Sequence, residues 1–162
     1  MATRSEWNLR IKKANARVVR NTKEAQQVMD ELLTAAMGDI KEAILAAISD
    51  CYSRLVVRTP VDTGRARASW HIAGEQDEWK PAPGDYPEAR ENVSSIIEKE
   101  IRKLQLSLSE SDIVYIMSNI EYMLPLEAGW SKKQGGGFIA LFLTELKTSL
   151  ESAASKMQSA SK

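Results

Sequence analysis

The chain has little of what most catalytic and metal centres are built from. One cysteine and one histidine occur in 162 residues. A lone cysteine excludes an internal disulfide framework and any cysteine-cluster metal site. Cys51 lies in an apolar helical pattern with nothing beside it to lower its pKa, so it reads as a small buried side chain. A metal site or acid–base dyad on His71 would need partners such as Asp62 or Glu75. Nothing at ligand spacing converges on it, and an ordinary surface histidine is expected. No apolar run approaches the ~18 residues that span a bilayer, and the first residues lack a signal-peptide core. A soluble protein made in a reducing cytoplasm, without a membrane partner, is expected. Neither charge is in excess, with 22 basic and 22 acidic residues. A protein that wraps DNA by neutralising phosphates would carry a surplus of Lys and Arg. Nucleophile-elbow and P-loop patterns are missing too. The glycines at 135 to 137 precede a helical pattern, but no buried strand leads into them and no lysine–hydroxyl pair follows. They read as a hinge, not an anion cradle. No enzyme activity, cofactor or metal is expected.

What is present is organised by helical period. Arg4 to Arg20 holds six basic residues and one acid, Glu6, which gives a basic arm or short helix over residues 1–20. Trp7, Ile11, Ala14 and Val18 make an apolar stripe on it. Trp7 either docks on a neighbouring subunit or packs on its own domain. Asn21 to Glu24 is a capping signal. From there Val28, Leu32, Ala36, Ile40, Ala43, Ala47, Cys51 and Leu55 hold one face of a helix of about thirty-five residues, widened by Leu33, Ile44 and Ile48. Most of that stripe is expected in the core. Pro60 stops the helix, Asp62 is read as a turn former, and Gly64 supplies a positive φ. Beyond Gly64, Ala66, Ala68, Trp70 and Ile72 alternate with Arg65, Arg67, Ser69 and His71, which predicts a half-buried strand with an arginine-bearing outer face.

Residues 75–88 carry three prolines and read as a loop, in which Trp79 and Tyr86 either pin it to the body or serve an interface. A helix is expected from Ala89 to Gln105. Strand chemistry follows from Leu106 to Ser118, centred on Ile113 to Ile116, with a turn at Ser109 to Asp112 and a short earlier strand at Leu106 and Leu108. Pro125 interrupts any ladder. Ser131 to Gly137 reads as flexible, and a last helix starts at Phe138. Glu127 stands in an apolar stretch before Gly129. Pairing with Arg65 or Arg67 is favoured for it over a place on the solvated rim. The expected fold is α+β: a small antiparallel sheet of three or four strands, covered by the long helix of the N-terminal half and by further helices. The expected domain spans residues 21–155, with a flexible tail at 156–162.

Two segments carry a family resemblance. The first is Thr59-Pro60-Val61-Asp62-Thr63-Gly64 with Arg65 to Trp70. The second is Val114 to Tyr122, running into Leu126-Glu127-Ala128-Gly129-Trp130 and Ser131 to Gln134. Their order and spacing resemble the minor tail-component or tail-completion family of tailed phages, over roughly Val56 to Leu150. The chain departs from that pattern at Ala66, where a larger apolar residue is usual, and at Gly135 to Phe138. The resemblance implies a virion structural protein at the head–tail junction (the neck), made in the bacterial host cytoplasm. It implies a ring, as a hexamer or dodecamer, around the DNA channel. Its partners would be the head connector or portal side and the tail tube or tail terminator, and DNA would pass without sequence-specific binding. On that reading Trp7, Arg65, Arg67, Trp70, Trp79, Trp130, Lys132 and Lys133 are candidate interface residues. Pro60, Asp62, Gly64, Glu127 and Gly129 shape the backbone. The alternative is a small nucleic-acid-binding regulator that uses the basic arm.

Overall fold

The computed structural model describes residues 22–110 and 113–160. Six helices and a two-stranded antiparallel sheet make a small α+β fold among them. In chain order these are α1 (Thr22–Arg58), α2 (Arg65–Ala68), β1 (His71–Ala73), α3 (Pro87–Glu91), α4 (Ser94–Glu110), β2 (Tyr115–Met117), α5 (Met123–Glu127) and α6 (Phe138–Ala160). Contacts divide the chain into Leu45–Leu150 and a second unit of Met1–Ile44 with Glu151–Lys162. The arm at 1–20 lies outside the described residues. Helix α6 continues to Ala160, past the start expected for a flexible tail.

The core lies in Leu45–Leu150. Cys51, Tyr52, Leu55 and Val56 of α1 meet Trp70, Ile72, Leu104, Ile120, Met123, Phe138 and Phe142 there. Burying a large apolar side chain of this kind contributes roughly 1.5–3 kcal/mol, so this cluster decides which parts of each helix face inward. Among the described side chains of the α1 stripe, Cys51 and Leu55 are buried and Ile48 packs against the core, whereas Ile40 is 44% exposed. The Cys51 thiol is buried and free, 3.6 Å from the Ser149 hydroxyl. Burial, helped by the charge of Glu100, pushes the Tyr52 phenol far above its ordinary pKa. The Tyr52 hydroxyl donates to the Trp70 carbonyl at 3.0 Å.

Helix α1 ends as Pro60 requires, and Thr59 seals the end. Its amide donates to Leu55 O at 3.0 Å, its hydroxyl donates to the same carbonyl at 2.8 Å, and that hydroxyl accepts Trp70 Nε1 at 2.8 Å. The strand expected from Gly64 onward is instead a helical turn followed by a three-residue strand. Ala66 and Trp70 are four apart as well as on one strand parity, so a helical turn buries the same pair. The turn also buries Ser69, which a strand would have left outside. Two forces select it. Gly64 has φ 84°, which turns the chain, and the Arg67 guanidinium reaches back to the carbonyls of Val57 (2.8 Å) and Thr59 (3.1 Å). These are carbonyls that the helix end leaves without a backbone partner.

The loop expected over residues 75–88 ends at Tyr86, because Pro87 and Glu88 already belong to α3, and two other boundaries also differ. The helix expected over Ala89 to Gln105 is divided into α3 and α4 at Asn92 and Val93, and α4 runs on to Glu110. Leu106 and Leu108 are therefore helical, with Leu108 packed against the core, not in an earlier strand. Ser109 and Glu110 belong to the same helix, and the rest of that expected turn lies outside the described residues. The sheet is smaller than the three or four strands expected. β1 and β2 pair as His71 with Met117, Ile72 with Ile116 and Ala73 with Tyr115. Pro125 sits inside α5, where the first turn needs no amide proton from it.

Candidate functional site

The fold brings the two resembling segments together. The turn of Pro60 to Gly64 faces α5 and the chain that leaves it, across an open groove of about 380 Å³. Pro60, Gly64 and Ala66 form one wall, Tyr122 and Leu126 the other, and Asp62, Lys132 and Lys133 the rim. Lys133 Nζ donates to Asp62 Oδ1 at 2.7 Å across the mouth. That bond and the lysine's charge hold the Asp62 carboxyl below the usual carboxylate range. Asp62 thus acts as a tether between the segments. No contact to its own turn backbone supports the turn-forming role expected of it, and Thr63 Oγ1 instead accepts the Arg65 amide at 3.4 Å.

A helix cap built from the second segment sets the far wall. The Gly129 amide donates to Leu126 O at 3.0 Å and the Trp130 amide to Pro125 O at 3.1 Å, with Gly129 at φ 89°. This pair of bonds is a Schellman motif, and a residue without Cβ suits its left-handed position. The cap leaves Trp130 78% exposed, and Leu124 of the short helix before it is 77% exposed. The Glu127 side chain does not pair with Arg65 or Arg67. Its carboxylate accepts the amides of Ile139 at 2.8 Å and Ala140 at 3.1 Å, while its main-chain carbonyl accepts the Gly137 amide at 2.9 Å. A carboxylate at the first turn of α6 satisfies orphan donors and faces the positive end of the helix dipole. The glycine segment is held by these bonds instead of swinging as a free hinge.

The candidate interface residues divide sharply. Arg65 lies inside the fold. Its Nε donates to Pro81 O at 3.0 Å, a terminal nitrogen is 3.6 Å from Glu121, and its guanidinium sits 5.6 Å from the Tyr122 ring centre. Arg67 clamps the end of α1 and also reaches Ala89 O at 3.5 Å, and burial lowers its pKa. Trp70 is 6% exposed in the core. Trp70 is thus core, while Arg65 and Arg67 are half-buried and held by bonds within the chain. Trp79, Trp130, Lys132 and Lys133 are exposed. Trp7 lies outside the described residues.

His71 is a correction of another kind. It is buried at 4%, with Nε2 2.8 Å from Asp77 Oδ1 and Nδ1 3.3 Å from Ser69 O. The hydrogen bond to His71 draws the Asp77 carboxyl below its usual range. Trp79 packs edge-on against the imidazole with ring centres 5.0 Å apart. Asn119 Nδ2 donates to the carbonyls of Asp77 (3.0 Å) and Trp79 (2.8 Å), and Lys80 pairs with Glu121. The loop is therefore pinned at Trp79, which remains half exposed. Pinning of the loop is one of the two roles expected for Trp79; what the sequence does not show is Asp77 as the partner of His71, since the loop carries several acids and no local pattern singles one out. Among the described residues no group of three or more His, Cys, Asp or Glu side chains is placed to hold a metal ion, and no helix is long and apolar enough to cross a membrane.

No family model, curated protein or solved structure matches this chain.

Proposed function

We propose that this chain is a virion structural subunit of the tail-completion or head–tail joining kind, working as a ring around a DNA channel. The observation that supports the reading is the surface beside the groove. Leu124 and Trp130 stand out from α5 and its cap, with Lys132 and Lys133 on the adjoining rim. The segments that carry the family resemblance build this surface between them. Exposed aromatic and aliphatic side chains rimmed by charge are what protein contacts use. The chemistry is steric and interfacial: each copy repeats one heterologous contact until the ring closes. A balanced charge suits a collar through which DNA slides without being gripped.

The test is molar mass in solution, by light scattering after size exclusion, for the chain alone and mixed with a phage head connector. A hexameric or dodecameric ring in either sample is the expected result, and Trp130→Ala should weaken it. Failure to form a ring or bind the connector, together with DNA retardation that falls steeply with salt, would overturn the reading. That outcome would support a nucleic-acid-binding regulator.

A further inference from the structure

The two edges of the sheet are treated differently by the fold. The Ile72 amide points away from β2 and donates to Glu100 Oε2 at 2.8 Å. Glu100 is itself buried at 5% and held by Lys103 Nζ at 2.7 Å, so α4 seals the outer edge of β1. Residues of an antiparallel strand send their N–H and C=O alternately to either side. With Ile72 pointing outward, the Ile72–Ile116 pair is a non-hydrogen-bonded one in the observed register. The backbone groups of Ile116 therefore project from the far edge of β2, and the same alternation carried one residue past each end of the strand gives Val114 and Ser118 that direction. None of them has a backbone partner among the described residues. Ile113, just before the strand, is 57% exposed.

We propose that the β2 edge is a pairing surface for the same edge of a second copy of this chain. The argument for that occupant is self-complementarity. Around a two-fold axis at Ile116, Ile116 opposes its counterpart and Val114 opposes Ser118 of the other copy, giving up to about six backbone hydrogen bonds. Tyr115 then lies against Met117, an aromatic–thioether contact of a favourable kind. The resulting four-stranded sheet runs β1–β2–β2–β1 and ends on both sides at an edge sealed by Glu100. Growth stops at two copies, where an open second edge would have allowed a fibre. A three-residue, two-stranded sheet is marginal alone, and four strands are not. The area available to so short a strand places the pair among weak, concentration-dependent contacts. A ring with two unlike faces cannot retain a two-fold pair, so the pairing describes the free chain. It is independent of the ring reading.

The test uses the full chain with Tyr115→Cys and Met117→Cys together. In the paired sheet these positions face each other as non-hydrogen-bonded neighbours, about 4.5 Å apart at Cα, within reach of a disulfide. Oxidation should give a covalent dimer on a non-reducing gel, and the unaltered chain, with Cys51 buried, should give none. Because the variant can fail to fold, hydrogen exchange on the unaltered chain gives a second reading. The amides of Val114, Ile116 and Ser118 should become protected as concentration rises, in step with the dimer seen by sedimentation. Exchange at these amides that is independent of concentration overturns the proposal, whether the chain is a monomer or an oligomer. A ring formed without such protection would overturn the pairing and leave the ring reading standing.

Discussion

The Glu127 carboxylate accepts the Ile139 amide at 2.8 Å and so joins the end of α5 to the start of α6 across the glycine segment. That side chain ties together the two ends of the segment from Ala128 to Gly137, which carries Lys132 and Lys133. Glu127→Ala removes the acceptor for two first-turn amides. It should lower stability by about 1–2 kcal/mol, the range for loss of a helix cap. Glu127→Gln keeps an acceptor oxygen and should lose less. Urea unfolding gives the magnitude, and faster exchange of the Ile139 and Ala140 amides would place the effect at the helix start. Unchanged exchange in Glu127→Ala would mean that the cap does not order this turn.

Neighbouring glycines of the same loop should respond in opposite ways to alanine. A Cβ at Gly136 would run into the Glu127 carbonyl oxygen and the Gly129 amide nitrogen, both backbone atoms that cannot turn aside. A Cβ at Gly135 meets open space. Gly136→Ala should therefore destabilise by about 1–3 kcal/mol, as overpacking does. Gly135→Ala should be neutral or slightly stabilising through the unfolded chain. Thermal unfolding of the two variants side by side checks the contrast, and equal effects would show that the loop gives way.

Arg67 offers a charge-assisted donor to carbonyls at the end of α1, and Thr59 beside it is fully buried. Replacing it with alanine leaves those acceptors without a partner, at a cost of roughly 1.5–3 kcal/mol. Lysine keeps the charge but not the planar fork, so Arg67→Lys should recover only part of the loss. A lysine variant as stable as the parent would show that charge at the helix end matters more than the paired geometry.

The sequence displayed local rules well and distant partners poorly. The stop of α1 follows from Pro60, which acts within one turn, while the capping signal expected at Asn21 lies outside the described residues. The stretch after Gly64 was ambiguous because Ala66 and Trp70 fit a period of two and a period of four alike. What decides between them is Arg67 reaching ten residues back to Val57 O, which no local window contains. Leu106 and Leu108 look β-rich in isolation, yet α4 continues through them and Leu108 packs on the core. Glu127 was rightly seen as needing a partner. Arginines were the obvious candidates by charge, but the helix dipole and free amides of α6 provide an equivalent site with no charged residue to betray it. His71 belongs to a polar face only if the alternation from Gly64 runs through it, and the helical turn replaces that alternation.

The pH dependence of stability should carry a contribution from Glu145 with a definite sign. Glu145 of α6 accepts a hydrogen bond from Arg58 of α1 at 2.8 Å, with Arg54 at 3.7 Å. That hydrogen bond draws its carboxyl below the ordinary glutamate range against the opposing effect of burial, and the charges of Arg58 and Arg54 add to the lowering. A depressed acid binds fewer protons in the folded chain than in the unfolded one, so acid favours unfolding. The contribution is fully present above the unfolded-state value and is lost as pH falls through the folded one. Asp62, Asp77 and Glu121 are depressed too and act in the same direction. A variant is therefore needed to isolate one of them. Glu145→Gln removes the titration while keeping a neutral acceptor. The stability advantage of the parent over this variant should be constant near neutrality and shrink steadily as pH falls below about 4.3, the ordinary glutamate value. Urea midpoints for both proteins across the acid range test it, and an advantage that stays the same throughout would mean that Arg58 and Glu145 are not paired in solution.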